Sequence, residues 1–88
     1  MLGPVTNLYL QQNVIERIEN LESLSHLRFL VLSGNSIQKV ENLLSMQMLK
    51  FLDISDNLIS HLDIDELPPS LLVLNLSVNQ CTKACNYR

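Results

Sequence analysis

The sequence predicts an α/β solenoid: a short right-handed coil with a parallel sheet on its concave side and 3₁₀ or irregular chain on its convex side. Three observations predict it. Asn13, Asn35, Asn57 and Asn79 recur every 22 residues. Each follows the same kind of phrase: Leu8-Tyr9-Leu10, Leu30-Val31-Leu32, Leu52-Asp53-Ile54 and Leu74-Asn75-Leu76. Behind the first two phrases, apolar residues fall at every third position: Ile15, Ile18, Leu21 and Leu24, then Ile37, Val40, Leu43 and Met46.

A fixed period of roughly 20 to 29 residues carrying L-x-x-L-x-L-x-x-N is the signature of a leucine-rich repeat, in which one unit cannot bury its apolar side without its neighbours. Residues 1–4 read as a short extension. The units are then 5–26, 27–48, 49–70 and an incomplete 71–88, the last running into a truncated C-terminal cap.

In each unit the fourth position (Leu8, Leu30, Leu52, Leu74) and the sixth (Leu10, Leu32, Ile54, Leu76) alternate with other residues. That is the period of a short strand with one face inward. Four such strands stacked in parallel, at roughly 4.8 Å per step, carry the sheet only about 15 Å from first to last.

After the strand the chain has to turn, and the ninth-position Asn explains how. A side-chain amide offers two donors and an acceptor, so it can satisfy backbone groups of its own turn and of the adjacent unit. Asn13, Asn35, Asn57 and Asn79 are expected to form a structural ladder. The every-third spacing of the return leg suits 3₁₀ geometry, where side chains three apart eclipse.

The third unit departs from the pattern. Ile59 and Leu62 keep their places, but Asp65 replaces an apolar residue, and Ile64 and Leu67 are expected to supply the missing burial. Pro68-Pro69 predicts that this leg ends in an extended polyproline-II run, because proline fixes φ and lacks an N–H donor. In the fourth unit Cys81, Ala84 and Tyr87 take the inward positions and Cys85 points away. One C-x-x-x-C pair is too few ligands for zinc.

Composition narrows the function. A chain of 88 residues buries only about 60 to 65% of its unfolded surface. The sequence is 47% hydrophobic but only 5% aromatic, with no Trp, so its core must be built from aliphatic layers. A net charge of -3 and a pI near 5.1 argue against a nucleic-acid partner. No apolar run reaches the roughly 18 residues of a membrane span. The start lacks a basic region followed by an apolar stretch, and the cysteines do not form the framework of a small secreted domain. A cytoplasmic, reducing setting is expected.

Nothing in the sequence assembles a catalytic set, and the expectation is a non-enzyme without cofactor or metal. Gly3 and Gly34 are the only glycines, so no glycine-rich phosphate cradle exists. His26 and His61 occupy different places in the period and read as surface residues. Asp63, Asp65 and Glu66 lack the glycine and distant glutamate of a calcium loop and read as a solvated convex edge.

What the strands leave outward is a surface. The third position reads Asn7, Phe29, Phe51, Val73, and the fifth Tyr9, Val31, Asp53, Asn75; both alternate with the inward leucines. Both phenylalanines therefore face solvent, although Phe normally belongs inside. Arg28 and Lys50 adjoin them at the second position, and Asp53 and Asp56 supply acid. An apolar centre with a charged rim is a common plan for a protein interface. Tyr9, Arg28, Phe29, Val31, Lys50, Phe51, Asp53, Val73 and Asn75 are the expected partner-binding residues. The competing reading is that cross-strand aromatic and β-branched neighbours serve only to support the sheet. Open ends of such an array also invite self-association.

Ile18-Glu19-Asn20-Leu21 and Val40-Glu41-Asn42-Leu43 resemble the repeat type named after a regulatory subunit of protein phosphatase 1, found in intracellular and especially ciliary proteins. The resemblance spans about residues 5–88 and implies a noncatalytic interaction module or scaffold, in a motile cilium or sperm flagellum. The family also admits a phosphatase regulatory subunit as an alternative. A third expectation is a fragment of a larger intracellular enzyme. Tyr87-Arg88 looks like the start of the family's C-terminal cap, and no N-terminal cap precedes the first unit, so a fragment or short isoform is expected.

Overall fold

The computed structural model describes residues 4–79. Its framework is a four-stranded parallel sheet in chain order: β1 (Asn7–Tyr9), β2 (Phe29–Val31), β3 (Phe51–Asp53) and β4 (Val73–Asn75). Every strand pairs with the next at an offset of one sequence period: Leu8 with Leu30, Leu30 with Leu52, and Leu52 with Leu74. The repeat read from the sequence is thus the register of the sheet.

The ladder continues past the strands. Leu10, Leu32 and Ile54 donate their N–H groups to the carbonyls of Val31, Asp53 and Asn75 at 2.8, 2.7 and 3.0 Å. Gln12, Gly34 and Asp56 do the same to Ser33, Ser55 and Ser77 at 2.9, 3.2 and 2.9 Å. Immediately before the ladder Asn, the chain enters the left-handed region at Gln12, Gly34, Asp56 and Val78, with φ of 59°, 69°, 53° and 55°. This periodic bend reverses the chain out of the sheet. At Gly34 a side chain would also collide with the Gln12 amide lying over it. Val78 is the anomaly, since a β-branched residue is seldom found there.

The core lies between the sheet and the return legs and is densest in the middle. Leu27, Leu30, Leu32, Ile37, Leu43, Leu49, Leu52, Ile54 and Ile59 are buried, whereas Leu8, Leu10, Leu74 and Leu76 at the two ends are only partly so. Each fully buried aliphatic side chain contributes on the order of 1.5 to 3 kcal/mol. The inner units therefore hold most of the stabilisation.

The return legs are irregular. In the first two, paired i to i+3 bonds close successive turns: Leu24 to Leu21 and Leu27 to Leu24, then Met46 to Leu43 and Leu49 to Met46. Asn20 and Asn42 lie one period apart, each with positive φ (64° and 62°), a conformation that Asn tolerates. The third leg has Ile64 in that place and solves the turn differently. Ile64–Glu66 forms a 3₁₀ turn capped by Asp63, whose carboxylate accepts the Asp65 N–H at 3.0 Å.

Two expectations for this leg are corrected. Leu67 is buried, but Ile64 is 58% exposed, because the 3₁₀ turn carries it to the outside. Nor do Pro68-Pro69 end in an extended run. Leu71 N–H donates to the Pro68 carbonyl at 3.1 Å, closing the same turn that Leu24–Leu27 and Met46–Leu49 close. Pro69 sits at the turn's second position, where its fixed φ is favourable. Cys81, Ala84, Cys85, Tyr87 and Arg88 lie outside the described residues.

Candidate protein-binding face

Three of the ladder asparagines connect neighbouring units. Asn35 donates from Nδ2 to the carbonyls of Leu10 and Leu32 at 3.0 and 2.9 Å, while its Oδ1 accepts the Ile15 N–H at 3.1 Å. Asn57 repeats this with Leu32, Ile54 and Ile37 at 2.9, 3.1 and 3.0 Å, and Asn79 with Ile54, Leu76 and Ile59 at 2.9, 3.0 and 2.9 Å. The amides do not touch each other. They alternate with the carbonyls of Leu10, Leu32 and Ile54, each of which receives its own unit's Asn and the next unit's. Asn13 is exposed and donates only to Leu10 and Gln11; among the described residues no backbone N–H reaches its Oδ1.

This framework ties each strand to the next in one register. On the open face of the sheet Asn7, Phe29, Phe51 and Val73 form one row across the strands, and Tyr9, Val31, Asp53 and Asn75 a second. The rings of Phe29 and Phe51 stack with centroids 5.1 Å apart and planes 21° off parallel. Phe29 is still 41% exposed, Tyr9 and Val73 are exposed, and Val31 and Phe51 are half-buried. The Tyr9 hydroxyl accepts a bond from Asn7 Nδ2 at 3.0 Å.

Arg28 and Lys50 are exposed at the strand entrances on adjacent rungs, where the Lys50 and Phe51 N–H groups both donate to the Arg28 carbonyl at 2.9 and 3.0 Å. Neither side chain has a hydrogen-bond or ion-pair partner among the described residues. Arg17, by contrast, lies 3.9 Å from Glu41.

The polar members of the second row are engaged locally. Asp53 Oδ1 accepts both the N–H and the hydroxyl of Ser55 at 3.0 and 2.7 Å, and Asn75 Oδ1 receives the same pair from Ser77 at 3.1 and 2.8 Å. These two residues brace the exit from their strands. Asp56 on that side is exposed, with no side-chain partner among the described residues.

One residue of the face escaped the sequence reading. Leu72, 77% exposed beside Val73, extends the apolar row at the position that Arg28 and Lys50 occupy in earlier units. The signal was present in the repeat alignment but masked by the two cations.

The return side offers less. Shallow depressions there are lined by Glu22, Asn42, Leu44, Ser45 and Glu66, by Glu16, Arg17, Ser36, Gln38 and Leu58, and by Ile64, Leu67, Pro68, Pro69 and Leu71. His26 and His61 are both exposed. Among the described residues no three His, Cys, Asp or Glu side chains come together as metal ligands, and no helix is long and apolar enough to cross a membrane.

Comparison with models of known protein families gives no match, and comparison with curated proteins gives none either.

Proposed function

We propose that the parallel sheet is the concave wall of a short, open, right-handed leucine-rich solenoid, and that this wall binds another protein without catalysing a reaction. The observation that carries the reading is the stacked Phe29–Phe51 pair, solvent-accessible and bordered by Arg28 and Lys50, whose side chains have no partner among the described residues. Aromatic pairs do strengthen sheets. Val73 opposite Phe51 serves that purpose too, but support for the strands gives no reason to leave Leu72 exposed next to the row or to place Arg28 and Lys50 beside it.

The cellular setting we propose is the assembly of a motile cilium or sperm flagellum. Its support is the resemblance to the phosphatase-subunit repeat type. A narrower likeness links residues 51–59 and 67–77 to segments of leucine-rich-repeat-containing protein 46.

Proximity labelling in ciliated or spermatogenic cells tests the reading. Partners enriched by the natural chain are expected to be lost with a Phe29→Asp, Phe51→Asp double variant whose circular dichroism and melting are unchanged. Retention of the same partners by a folded double variant overturns the assignment of the face. Copurification of a phosphatase catalytic chain as the dominant partner would favour the regulatory-subunit alternative.

A further inference from the structure

We infer that the ligand of the open face is an acidic peptide segment carrying an aromatic or large aliphatic anchor. Its carboxylates would lie against Arg28 and Lys50 and its anchor on the Phe29–Phe51 stack. The inference rests on the proposed binding role of that face and adds the chemistry of the partner.

Of the cations among the described residues, Arg17 is near Glu41 and Lys39 stands on a return leg, whereas Arg28 and Lys50 stand beside the aromatic stack. They occupy adjacent rungs of a parallel ladder, which are about 4.8 Å apart. Like charges so placed repel and weaken the sheet. An anion between them removes that repulsion and makes charge-assisted hydrogen bonds to both, with the Arg fork able to hold a carboxylate by two parallel bonds.

The opposite border has the opposite sign. Asp56 is exposed there and Asp53 stands half-buried beside it, so the face is polar along the strand direction, cationic at the strand entrances and acidic at the exits. A ligand acidic along its whole length is therefore repelled from one border. The best fit is a segment whose acidic residues cluster at one side of its anchor. The anchor has a defined seat, since the exposed part of the stacked pair can take a further ring or a Leu or Met side chain.

A single-stranded nucleic acid also combines anionic groups with flat bases, and aromatic stacking serves such ligands. The exposed Asp56 and the overall net charge of -3 disfavour a polyanion that must track along the face.

Selection of random dodecapeptides displayed on phage against the full chain tests the inference. Counter-selection against the Phe29→Ser, Phe51→Ser double variant keeps only face-dependent binders. The expected consensus pairs Asp or Glu with a nearby aromatic or large aliphatic residue. A peptide made to that consensus should lose affinity by about tenfold or more with Arg28→Glu, Lys50→Glu, the scale of one or two charge-assisted bonds. It should also weaken with added salt, and its Lys-for-Glu counterpart should prefer the charge-reversed variant.

A basic or neutral consensus, no enriched consensus, or affinity unchanged by charge reversal overturns the inference. So does equal or tighter binding of oligo-dT through the same residues. The two proposals fail separately. If cellular partners depend on Phe29 and Phe51 but not on Arg28 and Lys50, the binding face stands and the acidic ligand falls.

Discussion

Asn57 and Asn13 hold the same place in the repeat, yet they do different work. Asn57 is 5% exposed and joins three backbone carbonyls to one N–H across two units. Asn13 is exposed and only tightens its own turn. The side chain and the local sequence motif are the same. What differs is a neighbouring unit whose N–H group is offered to the amide oxygen. The contribution of a repeat residue is therefore a property of an interface between units, as expected for a nearest-neighbour array. The leucines follow suit: Leu30 and Leu52 are fully buried, while Leu8 is only partly buried.

The most direct way to break this comparison is to remove each amide. Asn57→Ala strands the Ile37 N–H in the core, at a cost of about 1 to 3 kcal/mol. The carbonyls suffer less, because Leu32 keeps its bond from Asn35 and Ile54 keeps its bond from Asn79. Asn13→Ala should change stability by no more than about 0.5 kcal/mol. Denaturant titration measures both, and hydrogen exchange should show the Ile37 amide specifically less protected in the Asn57 variant. Equal losses at the two positions would mean that the ladder does not act between units.

The strands, their parallel order and their register were legible in the sequence because each rests on a strict period. A one-residue slip in pairing would turn the inward leucine of a strand, Leu8, Leu30, Leu52 or Leu74, to the open face. The third return leg was less legible. Its apolar pattern breaks at Asp65, and two local devices competed to replace it: an extended run through Pro68-Pro69, or a turn with Pro69 at its second position. The turn prevails because the carbonyl at position 68 is needed by Leu71, just as those of Leu24 and Met46 are needed by Leu27 and Leu49.

The left-handed bend was harder still to read. Its four residues, Gln12, Gly34, Asp56 and Val78, share no side-chain chemistry, so a purely backbone requirement left no trace in composition. Of the candidate binding face, Phe29, Phe51 and Val73 were legible from alternation, whereas Leu72, just before its strand, was not. The local engagement of Asp53 and Asn75 depended on serines two residues further on, and only the turn geometry brings those together.

That bend supplies a second, smaller comparison, between Gly34 and Val78. Both have positive φ at the same place in the period, but only Gly adopts it without steric cost. The left-handed form costs an ordinary L-residue on the order of 1 to 2 kcal/mol, partly offset in a Gly variant by the extra freedom of the unfolded chain. Val78 is exposed, so little burial is lost on truncation. Val78→Gly should therefore raise stability by up to about 1 kcal/mol, whereas Gly34→Val should lower it. A melting temperature unchanged or reduced in Val78→Gly would show that the bend at the fourth unit is not under strain.

The smallest expected effect separates the proline turn from its counterparts. Pro68–Leu71 closes with the same bond as Leu24–Leu27 and Met46–Leu49, yet neither of those turns contains proline. The turn geometry is set by the repeat, and Pro69 adds rigidity by removing unfolded conformations. Replacing it with Ala should lower stability by about 0.4 to 1 kcal/mol through the unfolded state, with the folded register and the open face undisturbed. Two measurements keep the alternatives apart. Chemical denaturation gives the stability change, and amide exchange at Leu71 reports whether its bond to the Pro68 carbonyl persists. A small loss with Leu71 still protected is the expected pair of results. If Leu71 instead loses protection in a variant that otherwise remains folded, then Pro69 itself forms the turn and the equivalence of the three return legs is broken.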